Sequence, residues 1–288
     1  MKKSIFVVAA VAVIAMFNFS ASAPESVTHQ IITKMLNAMN SAKGFTYTMK
    51  SNERIVGMKN LRGGDIYTKV NVNPQKLYLK MITDPNKGTE ILYVKGERDG
   101  KAVVNPGKML PTLKFLPTNS MLTKEQHHVI TTSGFSTTAR IMADAVRRAD
   151  AEAKFDSVFK YPGDVEWGGR KCYKIVIEDP TWTYTTYKAL PNEKMNDIAT
   201  KLMIPEYSLV ELNGVKNFEE NLGGRTLKVP TSYAKKTILF IDKQTFMPIL
   251  QEMHDDKGIF EHYEFSNLVI NPTFKADEFT EDFSEYGF

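Results

Sequence analysis

The feature that most constrains this chain is a change of period between residues 187 and 230. On either side of that stretch apolar residues alternate with polar ones, whereas inside it they recur at helical spacing. Met195, Ile198, Ala199 and Leu202 share one helical face, with Lys194 and Met195 opening the run. Pro205 interrupts, because proline cannot supply the amide a helix interior needs. A second short helix follows, with Leu209, Val210 and Leu212 on one side, and Asn213-Gly214 stops it in a left-handed turn. Gly223-Gly224 turns the chain into a short strand over 226–229, ended by Pro230. The spacing predicts a complete β-α-α-β unit within 44 residues.

The flanking sequence reads as strands with two helices. Residues 25–40 place Val27, Ile31, Met35, Leu36 and Met39 on one helical face, with Ser26 as N-cap and Gly44 as the stop. Phe45, Tyr47 and Met49 then alternate with polar residues, and Ile66, Thr68, Val70 and Val72 repeat the pattern after Gly63-Gly64. Asn73-Pro74 leads to Leu77, Leu79 and Met81; Asp84-Pro85-Asn86 leads to the continuous run Ile91-Leu92-Tyr93-Val94. Arg98-Asp99-Gly100-Lys101 reads as a tight hairpin into Val103-Val104, followed by the loop Asn105-Pro106-Gly107. Between 111 and 154 the strand pattern disappears. Leu113, Phe115, Leu116 and Leu122 have no clean period, and 136–153 is helical, with Ile141, Met142, Ala145, Val146 and Ala149 opposite Arg140, Arg147 and Arg148. Strands are expected again at 155–161, 171–178, 236–242, 247–254 and 260–269, the last two joined by Asp255-Asp256-Lys257-Gly258. A meander of short strands, not a series of βαβ units, is an α+β pattern. Residues 183–231 are expected as an insertion between two of its strands, since exposed loop tips tolerate insertions.

The N-terminus has the pattern of an export signal. Lys2-Lys3, an apolar run over 5–19 and Ser20-Ala21-Ser22-Ala23 describe a secretory signal peptide over 1–23, cut after Ala21 or Ala23. The run is too short to span a bilayer, and no cysteine follows it to accept a lipid. Export to the periplasm is the expectation. Lys2 and Lys3 account for two of the four net positive charges, and no block of like charge remains to hold nucleic acid. Cys172 is the only cysteine, so no internal disulfide can form; it lies in the strand pattern with Tyr173, Ile175 and Ile177 and is expected to be buried.

Catalytic constellations do not emerge. His127-His128 is the only histidine pair, and neighbouring side chains diverge on either a helix or a strand, which points to no shared metal. No Gly-x-Ser-x-Gly elbow, phosphate loop or dinucleotide fingerprint occurs. Asp255-Asp256 reads as a turn and Glu281-Asp282 as an acidic tail. The expectation is a binding protein, not an enzyme, with no cofactor and no metal.

Two stretches resemble known families. Met195-Asn196-Asp197-Ile198-Ala199, Leu209-Val210-Glu211-Leu212-Asn213 and Gly224-Arg225-Thr226-Leu227-Lys228-Val229-Pro230 resemble the helix, second helix and closing strand of the LysM module, with Asn192-Glu193-Lys194 at the turn where that family has Gly and Thr. The resemblance implies binding of peptidoglycan or another N-acetylglucosamine-containing glycan through Asn192, Glu193 and Lys194 in one loop and Gly214, Val215, Lys216 and Asn217 in the other. The remainder, 24–182 and 232–288, resembles the outer-membrane lipoprotein carrier (LolA-like) fold. This rests on element order, on Asn73-Pro74 before Leu77, on Asp99-Gly100-Lys101 with Asn105-Pro106, and on Asn271-Pro272 with Phe274 and Phe279. Asn73 stands where carriers have an arginine that holds the lid. The whole arrangement is similar to an exported, Bacteroidetes-type family of unknown function.

The carrier resemblance implies a curved antiparallel half-barrel covered by helices, with lipid or lipoprotein acyl chains as ligand. Met35, Met39, Met49, Met81, Met142, Met247 and Met253 fall on apolar faces, and methionine suits a cavity that must accept chains of varied shape. The expected lining is Met35, Met39, Phe45, Tyr47, Met49, Leu77, Leu79, Met81, Ile141 and Met142, beneath helices at 25–40 and 136–153. The alternative is that these side chains fill a solid core and the protein is a wall-binding scaffold.

Overall fold

A computed structural model describes residues 25–107 and 110–288; the expected signal peptide, 1–23, lies outside them. The first helix, α1 (Val27–Ser41), starts at Ser26, whose hydroxyl accepts from the His29 amide at 3.3 Å. A meander follows: β1 (Gly44–Glu53), β2 (Arg62–Asn71), β3 (Lys76–Met81), β4 (Glu90–Val94), β5 (Ala102–Asn105) and the short β6 (Leu113–Phe115). Next come α2 (Ser120–Thr123), α3 (Ser136–Ala151), α4 (Phe155–Val158), β7 (Phe159–Trp167) and β8 (Arg170–Glu178). A small unit contains β9 (Tyr184–Lys188), α5 (Met195–Leu202), α6 (Glu206–Asn213) and β10 (Thr226–Pro230). The chain ends with β11 (Lys236–Asp242), β12 (Pro248–Asp255), β13 (Gly258–Ile270) and an irregular tail.

Eleven strands form one antiparallel sheet in the order β6-β5-β4-β3-β2-β1-β13-β12-β11-β8-β7. It does not close, because β6 and β7 remain its two edges. The first and last strands of the chain pair at its middle, Phe45 opposite Ile270 through Glu53 opposite Glu261. The fold is thus α+β, with a large open antiparallel sheet and few helices.

β8 and β11 are sheet neighbours, with Lys236 opposite Glu178. Everything between them leaves and returns through a neck, where the Thr231 amide donates to the Thr183 carbonyl at 2.9 Å and the Asp179 amide to the Lys235 carbonyl at 3.0 Å. Beyond the neck, and among the described residues, β9 and β10 pair only with each other. Met195, Ile198, Leu209, Phe218, Leu222 and Leu227 make their own buried cluster. Asp197 accepts the Lys194 amide at 3.0 Å to start α5, and Gly214 ends α6 at φ 62°, where a side chain would be strained.

Four local readings change. Gly63 and Gly64 lie inside β2, where a Cβ at Gly63 would sit 2.5 Å from the Ser51 carbonyl oxygen; glycine here permits close approach, not a turn. Arg98–Gly100 sits in a wider loop, with Arg98 and Asp99 at positive φ. Residues 113–115 are a strand in a region that reads as strandless. Phe155–Val158 is a helical turn, because Phe155 drops into the core and stacks on Phe159 at 4.5 Å before β7 begins.

The sheet is covered on both faces, which explains the unalternating Ile91-Leu92-Tyr93-Val94. Ile91 and Tyr93 join the main core, while Leu92 and Val94 face outward with Tyr78 and Val103. The tail seals that outer face. Phe279 packs there, Tyr286 stacks on Tyr78 with centroids 3.7 Å apart, and Glu278 meets Lys69 at 2.7 Å. Glu281 pairs with Arg98 at 3.1 Å. The acidic end is therefore a strap on the sheet, not a free tail. Phe279→Ala is expected to cost about 3–5 kcal/mol by urea denaturation, whereas Val269→Ser, at an exposed position, should stay within about 0.5 kcal/mol.

Candidate functional site

Along β1 and β13 the covered inner face changes from apolar to charged. Phe45, Tyr47 and Phe265 surround Phe135, with ring centroids 4.9 to 5.9 Å away. Further along the same strands stand Tyr263, Glu53 and Glu261. Glu53 and Glu261 are direct cross-strand partners, and both are buried. Like charges so placed repel, and two histidines answer them. The His127 amide donates to Glu53 at 3.0 Å, while its Nδ1 donates to Glu261 at 2.9 Å and its Nε2 to the Arg54 carbonyl at 2.8 Å. Both acceptors demand a proton, so the ring is an imidazolium.

His128 works similarly. Its Nδ1 donates to Glu206 at 2.9 Å, and its Nε2 faces Glu261 and the Tyr233 oxygen, each at 3.3 Å. Tyr233 in turn donates to Glu261 at 2.9 Å, and Tyr263 to Glu53 at 2.6 Å. Burial opposes charge on both imidazoles, but the carboxylates outweigh it. Glu261 and Glu206 hold His128 well above its ordinary 6.5; Glu53 and Glu261 raise His127. Burial likewise opposes ionisation of Glu261, yet the two histidines hold it far below its usual range.

His127 and His128, expected to diverge, instead converge on one carboxylate oxygen, Glu261 Oε1, with their ring planes inclined at 72°. With their nitrogens spent as donors, no lone pair is left for a metal. The segment also ties two parts of the molecule together. His127 stacks on Tyr207 of α6 at 4.3 Å, and Val129 joins the buried cluster of the small unit. Beside it Arg54 bonds Glu211 at 3.0 Å and pairs with Asp255.

A cavity of about 340 Å³ opens against this charged end. Its lining is mainly apolar but takes in Thr68, Gln126, Thr138 and Gln251, and Glu53, His128, Tyr233 and Tyr263 form one end. Six of the ten expected lining residues are there: Tyr47, Met49, Leu79, Met81, Ile141 and Met142. The other four, Met35, Met39, Phe45 and Leu77, are fully packed in the core. For Met35 and Met39 the reason is the position of α1, which rests on α3, α4 and β7 and contributes no residue to the cavity. Its cover comes from α3 and residues 121–138. A second space of about 140 Å³ lies beyond Ile141, Met142, Tyr233 and Thr237, which line both.

In the small unit the first expected loop is held to residues 221–222, with the Leu222 amide on the Glu193 carbonyl at 2.8 Å and Lys194 bridged to Asn221. Asn192, Lys194, Gly214 and Lys216 are exposed, and Asn217 is half-buried with its side chain accepting the Glu219 amide. Val215 is buried, and the Glu193 carboxylate is taken up by the Leu190 amide, Tyr187 and Lys201. Sequence reasoning missed Glu53, Glu206, Tyr233, Glu261 and Tyr263. For three of them a signal existed: Glu53 shares strand parity with Phe45, Tyr47 and Met49, and Glu261 and Tyr263 with Phe265, which marks the inner face.

The family model described as a protein of unknown function (DUF1571) matches residues 42–208, and the chain belongs to that family. No curated protein matches it. Among solved structures, it is similar to an uncharacterized conserved protein from Thermus thermophilus at 6% identity, covering 89% of this chain and 96% of that one, TM-score 0.40. It is also similar to lipoprotein LppX from Mycobacterium tuberculosis (11% identity, 86% and 97% covered, TM-score 0.39). A third is a putative outer membrane lipoprotein-sorting protein domain from Vibrio parahaemolyticus (9% identity, 88% and 96% covered, TM-score 0.36). At so low an identity and superposition, none bears on what this chain binds.

The charged end sets a pH dependence. His128 is raised in the folded state, so its contribution is complete below 6.5 and is lost as pH climbs through the folded value. Glu261 is lowered, so its contribution is complete above 4.5 and is lost only well into acid. Stability from this group is therefore expected to plateau between 4.5 and 6.5 and decline on the alkaline side. Thermal melts from pH 5 to 9 check this; in His128→Gln the alkaline decline should flatten.

Proposed function

We propose that this is a non-catalytic binding protein of the cell envelope whose half-barrel holds an acyl chain or slender lipid. The observation that carries the reading is the cavity of about 340 Å³, mainly apolar in its lining and bounded by a charged cluster at one end. That volume lies within the range of small-ligand sites. The flexible Met49, Met81 and Met142 can follow the shape of a chain. Glu53, His127, His128 and Glu261 are engaged with each other and with neighbours, which favours a built end wall over a base or nucleophile poised for substrate. Export to the periplasm belongs to the same reading, with the address expected over 1–23. Native mass spectrometry of protein purified from its own envelope should show a co-purifying lipid mass. Leu79→Trp, which fills the lumen from β3, should abolish it at nearly unchanged melting temperature. A wild-type protein that emerges without lipid, and takes up none, would leave the solid scaffold as the better account.

In the same reading the unit between β8 and β11, residues 183–231, is a LysM-like module that holds peptidoglycan. Its support is the arrangement of two helices with a two-stranded sheet, its first loop bridged to Asn221. The side-chain contacts then fall to Asn192, Lys194, Lys216 and Asn217, since Val215 and the Glu193 carboxylate are committed internally. Asn192→Ala with Lys216→Ala is expected to lower co-sedimentation with purified peptidoglycan about fivefold, or ~1 kcal/mol. Unchanged sedimentation removes the glycan role from these loops.

A further inference from the structure

The cavity has a greasy, basic lip. Lining residues that are also exposed mark its mouth: Leu113 is 39% exposed and Met121 68%, with Asn86 and Lys124 its polar members. Beside them Leu110 is 58% and Leu116 44% exposed. Four large apolar side chains thus stand in solvent within one short stretch, at the open edge of the sheet, where a soluble surface normally scatters them singly. The same stretch is selectively charged. Between Asp99 and Glu125 the sequence has no carboxylate and four lysines. Lys114 and Lys124 are exposed, and Lys124 lines the mouth itself. Glu125, where acid resumes, is paired with Arg62 at 3.3 Å.

We infer that residues 110–124 dock the cavity mouth onto an anionic phospholipid surface, so that a lipid passes between bilayer and lumen without crossing water. The inference rests on the acyl-chain reading for its purpose, but not for its contact. Leu110, Leu113, Leu116 and Met121 would enter the headgroup boundary, with the lysines against the lipid charge. The geometry favours membrane over a protein strand added to the sheet edge. β6 is only three residues long, and Pro111 and Pro117 stand close on either side, which blunts strand addition. Apolar continuity points the same way: Leu113 and Met121 belong at once to the lip and to the lumen.

The test has two arms. In the first, the purified protein is floated with vesicles of phosphatidylcholine alone or mixed with phosphatidylglycerol. Binding should favour the anionic vesicles and fall with salt, and Leu110→Asp with Leu116→Asp, two lip residues that do not line the lumen, should weaken it by about tenfold or more. In the second, a water-dispersed fluorescent fatty acid is titrated into the same proteins without vesicles. The double variant should bind it as the parent does, which also shows that it is folded. No flotation, or flotation indifferent to the two substitutions, overturns the docking. So does self-association that is abolished by the same substitutions while vesicles are ignored. Failure of the fatty-acid arm in the parent protein, with flotation intact, overturns the acyl-chain reading and leaves the docking standing.

Discussion

Two carboxylates face each other across the central strand pair, and much of the molecule is arranged around that fact. Glu53 and Glu261 lie opposite on β1 and β13, buried, where mutual repulsion would part the strands that join the beginning of the chain to its end. His127 bonds both, by its amide and its ring. Removing one partner from such a group strands the remaining charge in a dry interior, which is far more costly than never having buried it. The requirement for imidazolium cations fixes residues 127–129 in place. From there His128 reaches Glu206, and Val129 enters the cluster of the small unit. One electrostatic problem in the sheet thus anchors the cavity's end wall and the seat of the small unit together.

The arrangement of strands was largely readable because alternation is a direct imprint of a two-faced sheet. Phe45, Tyr47 and Met49 follow it, and so do Leu77, Leu79 and Met81. The helical spacing of Met195, Ile198 and Ala199 was equally clear, since each of those residues is buried in one small cluster. What escaped was set by tertiary context. β6 exists only because β5 offers it an edge. Met35, Met39, Phe45 and Leu77 looked like lining because apolar faces do not disclose whether they meet a space or a side chain. The charged end was the largest omission. Glu261 sits at an inward position, against the pattern of the strand, and buried departures of that kind are where binding sites are expected.

Covering both faces of the sheet has its own logic. An open sheet with a hollow on one side lacks packing there, so the outer side must supply cohesion that the inner side does not. Phe279, Phe283 and Tyr286 bring it against Tyr78 and Leu92, and Asn105 donates to the Gly287 carbonyl at 2.7 Å. The strap lies behind β3, β4 and β5, the same strands that give Leu79, Ile91 and Val104 to the lumen. The tail therefore stiffens the wall that a ligand would press upon.

The neck gives the molecule a mechanical character. β8 leaves the sheet at Glu178 and β11 enters at Lys236, side by side and at the same end. A pull on the small unit would draw both strands lengthwise together. Their outer neighbours, β7 and β12, would then resist in shear, with the rungs of two ladders sharing the load instead of opening one after another. Had the unit hung from a hairpin at the sheet's edge, the same tug would have peeled it. A body moored by this unit could be tugged by the layer that holds it without losing the shape of its hollow.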